Sequence, residues 1–556
     1  MGNFIFDAGY KSYSHFIYQL VLPIILTSII ISIISFFLFE LAWYLSIAFF
    51  PFGLMIILIV PFLYAERKKV EIHERLHLFI TYAGTLATMQ VNRTVLFQKI
   101  AEEKEYGELR NIAERIVYLA KKWNLGYAKT CRKVAAFTPS LIFKDFLDRL
   151  AFVMDFGEDL QTFLVEEQDA IMDDFENQYR QSIQNIKLLE DVFISLTISI
   201  AFAMAAALLL PLLMGIDIMI IVQYSLLGLV FMDLLLIVMI KAFIPSDNLC
   251  HNLQIIDKGT KKLIRSFIII APISFLLTAI LIYLDFMPFL FNFAIGFTPL
   301  LIVGILATRE ENEVFRRDKS FPPLIRALGG TTSTKGGSVT SSLGALRVHD
   351  FGSLNEMVIN VYRRLRVGSE RFKCWLYFAG ETGSNLINYF IHIFVKSIYL
   401  GGDGIKVSEI ISKNFSRLLG LRKLRLQLAA GLRGALYGAL LGFVTTVYMA
   451  AAITGLLSGM FDSIVDDAQE QEDMEDLIST IIPQMPEIDM ESVNFYIAII
   501  VIFHSLISSI IIKIVDGGSK YAALMDFIIM VWIGAGLSFG IPLLSEWAFG
   551  DLVLAN

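Results

Sequence analysis

Charge is in short supply in this sequence. Asp, Glu, Lys and Arg make up 18% of its 556 residues, against about 25% in a soluble protein. That shortage, with a mean hydropathy of +0.64, argues against a chain that folds in water throughout. Cysteine is rarer still. Cys131, Cys250 and Cys374 are odd in number, lie far apart and form no CxxC pair, so neither a disulfide framework nor a zinc site is indicated. Cys250-His251 offers two ligands where a closed zinc site takes about four. No apolar/polar alternation of useful length occurs, which argues against strands. No nucleophile stands with a base, and no carboxylate pair is held at a defined spacing, so no enzyme, metal or cofactor is expected. One stretch, residues 462–492, holds eleven carboxylates and no Lys or Arg, although the chain contains 46 of these bases.

What is abundant is apolar sequence in long runs. About 20 helical residues cross a hydrocarbon core. Nine runs qualify: 16–39, 41–64, 192–214, 218–240, 266–284, 286–307, 436–460, 494–512 and 521–543. The first is too long for a signal-peptide core and is followed at once by another, so it reads as a retained span. The bases fall into five segments: Lys11, 18 in residues 65–191, five in 241–265, 20 in 308–435, and Lys513 with Lys520. Nine spans place all five on one side. Because the cytoplasmic side retains Lys and Arg, the N-terminus is expected inside, the C-terminus outside, and the base-free residues 461–493 form an external loop. The reading is a multi-pass protein of the cytoplasmic membrane.

The spans divide the chain into residues 1–64 with two spans, a soluble region 65–191, four spans in 192–307, a soluble region 308–435, and three spans in 436–556. The two soluble regions share a pattern. Residues 78–101 align without gaps on 324–347, so that Leu78, Gly84, Thr85, Thr88 and Thr94 meet Leu324, Gly330, Thr331, Thr334 and Thr340. Phe146 and the Gly-Glu-Asp at 157–159 likewise match Phe390 and the Gly-Gly-Asp at 401–403. Each half is two spans, a soluble module and two spans, a parallel repeat that puts both modules in one compartment. Helical spacing in Ile112, Ile116, Leu119 and Ala120 marks the modules as helical, and Pro322-Pro323 is expected to open a helix. The fold class is all-α, with about nine transmembrane helices and two duplicated helical cytoplasmic domains.

Several motifs need weighing. The run GGTTSTKGGS at 329–338 lacks the GxxxxGK[ST] order of a phosphate loop and reads as a turn or a close helix contact. The second soluble region carries 20 bases against ten acids. Its cluster of Arg363, Arg364, Arg366, Arg371 and Lys373 is far from any span and suits an acidic protein partner, which such a patch steers by its field. Arg422, Lys423, Arg425 and Arg433 abut a span, so anionic lipid competes with a protein partner there. No recognition motif accompanies the charge, so nucleic acid is not expected. Gly434, Gly438 and Gly442 at i, i+4, i+8 suit close helix packing, within the protomer first and in a homodimer as the alternative. Asp233, His504 and Asp526 fall inside spans; scattered and without repeat counterparts, they are read as structural hydrogen bonding more than as a proton path.

The LxxxxxG segments at 78–84 and 324–330 and the Gly-x-Asp segments at 157–159 and 401–403 resemble the type II secretion F domain. The duplicated layout with nine spans is similar to the archaellum membrane-platform family. That resemblance implies the polytopic platform of a type IV pilus-like machine. It implies as partners a hexameric motor ATPase docked on the basic soluble modules, an accessory ATPase, and pilin-like (archaellin) subunits, besides membrane lipids. The rivals are the platform of an adhesive pilus or secretion system, and a secondary transporter, which would carry paired intramembrane charges.

Overall fold

The computed structural model describes residues 71–469 and 489–553, with Val21 and Ile25, apart from positions 90–92, 139, 215–217, 246, 252, 256, 285–286, 335 and 337. The expected spans 16–39 and 41–64 and most of the expected external loop lie outside the described residues. Among these residues no strand forms; the pairing of Cys250 with Ser384 is an isolated bridge.

After a helical segment at 71–87 come α1 (Arg93–Ala101), α2 (Glu108–Lys122), α3 (Tyr127–Ala135), α4 (Leu141–Phe156) and the 55-residue α5 (Leu160–Met214). Helices α6 (Ile218–Phe243), α7 (Lys258–Leu284) and α8 (Phe289–Phe297) follow. Then come α9 (Leu300–Thr334), α10 (Val339–Leu346), α11 (Asn355–Arg366), α12 (Arg371–Thr382), α13 (Asn385–Tyr399) and the 66-residue α14 (Gly404–Gln469). The chain ends in α15 (Met490–Asp516) and α16 (Ala523–Val553). The segment from 71 to α5 and the segment from α9 to α14 have the same succession. Each has an entry helix, a short helix, a 3-10 turn (Lys104–Tyr106 or Gly352–Leu354), three more helices and a long exit helix.

Local sequence explains these boundaries. In α2, Leu109, Ile112, Ala113 and Ile116 are buried at helical spacing, Glu108 stands at the positive end of the dipole and Lys121 and Lys122 at the negative end. Ser140 caps α4 by accepting from the Phe143 amide, and Gly157 ends it in the left-handed region at φ +75°, where an L side chain is disfavoured. Asp159 then accepts from the amides of Gln161 and Thr162 and from the Thr162 hydroxyl, starting α5. Gly401, at φ +99°, and Asp403, which accepts from the Ile405 amide, do the same before α14.

The helix expected to open at Pro322 instead begins at Leu300 and runs through both prolines. Interior proline costs about 3 kcal/mol. Phe321, Pro322, Leu324 and Ile325 are all buried here, each large side chain contributing about 1.5–3 kcal/mol, and packing outweighs the missing amides.

Six helices among the described residues are long and apolar enough to cross a membrane, within Leu160–Leu209, Ile221–Phe243, Lys258–Leu284, Gly404–Met460, Met490–Asp516 and Lys520–Ser545. A seventh arises if Phe289–Phe297 and Leu300–Thr334, bent by 48° at Thr298-Pro299, form one span. The chain is a multi-pass membrane protein.

Two compact units group residues Met1–Asn177 with Lys396–Asn414, and Gln178–Val395 with Phe415–Asn556. In the first, Phe79 packs edge-on against Phe143 and Phe146. Buried Thr81 and Thr85 meet Asn414 at 2.8 Å and Ser397 at 2.9 Å. In the second, the core runs through α6, α14, α15 and α16, with Leu236, Leu440, Val447, Val501 and Val531 buried.

Candidate functional site

The second unit buries a layer of charge around residues 244–257, which join α6 to α7. Arg422 of α14 grips the Asp247 carboxylate through Nε and Nη2 at 2.7 and 2.6 Å, and its Nη1 donates to Asp318 Oδ2 of α9 at 2.8 Å. The other Asp318 oxygen accepts from the Ser384 hydroxyl. One turn on, Arg425 donates to the Val515 and Ile514 carbonyls at 2.6 and 3.0 Å and to those of Pro245 and Asp247, so it satisfies the open carbonyl end of α15. The backbone adds three stitches: Leu249 donates to Gly517, Asn385 to Leu249, and His251 to Gly383. Nearby, Lys513 meets Asp516 at 2.5 Å and Glu311 at 3.1 Å, while Arg317 meets Glu310 at 3.1 Å and the Thr382 carbonyl at 2.9 Å.

Burying an ion costs several kcal/mol unless partners satisfy it. Arg422 is 5% exposed and Asp318 fully buried, and each is answered by ionic and neutral partners. The arrangement ties α9, α14, α15 and the 244–257 connection into one rigid node. Beside it lies a cavity of about 150 Å3 lined by Cys250, His251, Asp257, Thr260, Glu310 and Glu311. Burial pushes the Cys250 thiol up to about 11. Among the described residues no group of three or more His, Cys, Asp or Glu is placed to hold a metal ion.

This placement corrects the expectation for Arg422 and Arg425 as lipid or ATPase contacts, because both point inward and are committed to interior acceptors. Lys423 is exposed. Arg433 is half-buried and pairs with Asp526 at 2.8 Å, which also accepts from Tyr437 at 2.8 Å. The spacing of Arg422 and Arg425 at i, i+3 on one face, with Asp247 in a short connection, was the signal for an interior role.

The expected docking residues lie on α11 and α12. Arg363, Arg366, Arg371 and Lys373 are exposed, Lys373 paired with Glu370 at 2.7 Å. Arg364 is half-buried, paired with Glu381 and 5.0 Å from the Tyr377 ring centre. Exposed Val367, Phe372 and Leu376 intersperse the bases.

Gly434, Gly438 and Gly442 are exposed, and a Cβ at any of them would meet nothing within 4 Å among the described residues. The expected packing within the protomer is therefore not found at these positions. Close approaches occur instead at Gly296, where a Cβ would lie 2.6 Å from Thr278 Cα, and at Gly304, 2.6 Å from the Met525 amide nitrogen. The glycine-rich run at 329–338 is helical through Thr334, and Ser338 caps α10. Amides of the last turn of α9 are thereby tied into the helix.

The intramembrane groups that looked scattered are paired. His504 Nδ1 of α15 lies 3.0 Å from Asp233 Oδ2 of α6, both fully buried. A separation of 271 residues hid the pair from the sequence.

No protein-family model and no solved structure matches the chain, so the likeness to the type II secretion F domain rests on its short segments. Two curated proteins are similar over nearly the full length. Flagella accessory protein J of Methanocaldococcus jannaschii is 33% identical over 551 residues, covering 96% of each chain. Its namesake in Methanococcus voltae is 30% identical over 538 residues, covering 95% of each. A relationship of that identity and extent places the chain in the flagella accessory protein J family.

Proposed function

We propose that the protein is the integral membrane platform of the archaellum, anchoring a cytoplasmic motor ATPase and coupling its movements to filament assembly and rotation. The observation that carries this reading is the length of α5 and α14. Each is one helix that leads from soluble sequence into an apolar span, and 55 and 66 residues correspond to roughly 80 and 100 Å at 1.5 Å per residue. A displacement applied at the soluble end has no soft linker in which to dissipate. The shared element succession and the paired Gly-x-Asp starts support a duplicated module. The distribution of bases supports a cytoplasmic N-terminus, an external C-terminus and both modules in one nucleotide-containing compartment.

The ATPase docks on Arg363, Arg364, Arg366, Arg371 and Lys373. Exposed Val367, Phe372 and Leu376 stand among these bases along the sequence, and arginine and aromatic side chains are the residue types that protein-binding hot spots favour. An accessory ATPase and archaellin subunits complete the machine, and a second copy of the chain is the partner proposed for the exposed glycine stripe. Copurification from native membrane tests this reading. The motor ATPase and archaellin subunits are expected; their absence, with the protein intact, refutes it.

The platform of an adhesive pilus is the alternative reading, and loss of swimming in a deletion strain distinguishes the archaellum. The transporter reading gains one feature, the buried Asp233–His504 pair, but the relatives on record are flagella accessory proteins.

A further inference from the structure

We propose that Asp233 and His504 form a proton-binding site inside the membrane bundle, which exchanges its proton through Nε2 of the imidazole. The pair lies where four helices meet. Asp233 comes from α6 and His504 from α15. Phe193 of α5 and Phe443 of α14 lie against the imidazole, each with its ring centre 6.0 Å away. The two aromatic covers thus belong to the two long helices that enter the bundle from soluble sequence.

The site has more hydrogen-bonding capacity than it uses. Among the described residues His504 Nε2 is buried without a partner, as are the hydroxyls of Ser505 and Ser508. Ser508 follows His504 by four residues and shares its face of the helix. A purely structural pair needs only the Nδ1–carboxylate contact. The unused Nε2 is the position at which a proton reaches or leaves the ring.

The proton balance follows from the two groups. With one proton to share, the pair is neutral overall: a carboxylic acid donating to Nδ1, or an imidazolium donating to a carboxylate. Loss of the proton takes it from Nε2 and leaves the Nδ1–H donating to a carboxylate, with one net negative charge. A lone buried charge is costly in an apolar medium, so release requires the covers to move or water to enter. Among the described residues the rings packed on the imidazole are Phe193 and Phe443, which do not titrate, and His504 is the titratable group that acts on Asp233. Linkage is reciprocal: if repacking of α5 or α14 changes proton affinity, proton binding biases the positions of α5 and α14. The site makes the bundle sensitive to proton supply, independently of which motor drives it.

The test uses the full-length protein in lipid nanodiscs, titrated with pH and followed by infrared difference spectroscopy of the carboxyl band. A protonated-carboxyl signal is expected to appear and disappear with pH, to vanish in Asp233→Asn, and to titrate at least about one pH unit away in His504→Gln. If a single variant fails to fold, the double variant Asp233→Asn with His504→Gln removes both charges and keeps the shapes. On the archaellum reading, wild-type swimming under a protonophore is expected to depend on external pH, and the double variant is expected to assemble filaments but lose that dependence. A wild-type spectrum with no Asp233 signal at any pH that preserves the fold overturns the proposal. So does a double variant whose pH dependence matches wild type.

Discussion

Nη1 of Arg422 lies 2.8 Å from Oδ2 of Asp318, across 104 residues of sequence and inside the fold. Removing one partner of a buried pair strands the other charge, at about 3–5 kcal/mol. Arg422→Ala is therefore expected to lower the thermal stability of the detergent-solubilised protein sharply. Arg422→Lys is expected to rescue little, because an ammonium cannot reproduce the fork that holds Asp247 and Asp318 together. A melting curve unchanged in Arg422→Ala would remove the node from the account.

The glycines divide into two classes. Gly304→Ala drives a methyl into backbone at 2.6 Å and is expected to cost about 1–3 kcal/mol of stability. Gly438→Ala meets no neighbour within 4 Å among the described residues and, inside a helix, is expected to hold or raise monomer stability, by up to about 1 kcal/mol. Thermal scans of both variants check the contrast, and native mass spectrometry of Gly438→Ala reports whether the stripe serves a second copy.

The Asp159 cap carries a pH dependence. The Thr162 hydroxyl, with the Thr162 and Gln161 amides, holds its carboxyl below the usual carboxylate range. A depressed folded-state value means the stabilisation is present above the unfolded-state value and is lost as pH falls through the folded-state one. Hydrogen exchange at Gln161 and Thr162 is expected to be slow at neutral pH, faster in acid, and fast at both in Asp159→Ala. Equal protection in the variant would show that the cap does not hold the start of α5.

The docking surface proposed on α11 and α12 carries exposed bases, so its affinity is expected to fall with salt. Replacing Arg363, Arg366, Arg371 and Lys373 together by Glu is expected to abolish copurification with the ATPase. Arg364 is left in place because its pairing with Glu381 holds α11 to α12. Retention of the ATPase by that variant at low salt would move docking elsewhere on the protein.

The sequence was most legible where one physical rule acts alone. Apolar length marked the six described helices from 192 onward that are long and apolar enough to cross a membrane, and Gly157 and Gly401 announced turns that only a positive φ allows. It was least legible where partners come from far along the chain. The pairing of His504 with Asp233 depends on α15 lying against α6, and local pattern carries no trace of it. Arg422 and Arg425 read as surface bases because a basic side chain near a span usually is one, whereas interior carboxylates and carbonyls capture both here. Pro322 and Pro323 read as a helix start because propensity disfavours them inside, and the packing of Phe321, Leu324 and Ile325 overrode it. The glycine stripe at 434–442 had the spacing of a close contact but no described helix beside it.

Sidedness is the claim on which the proposed platform role depends, since under that proposal a motor must reach both soluble regions. Single cysteines at Lys122 and Glu370, probed in intact cells with a membrane-impermeant maleimide, measure it directly. The background is low: Cys131 is buried with its thiol pushed up to about 12, Cys250 is pushed up to about 11, and Cys374 is also buried. The account predicts no labelling at either position until the cells are lysed, then labelling at both. Labelling at Lys122→Cys or Glu370→Cys from the medium would contradict it.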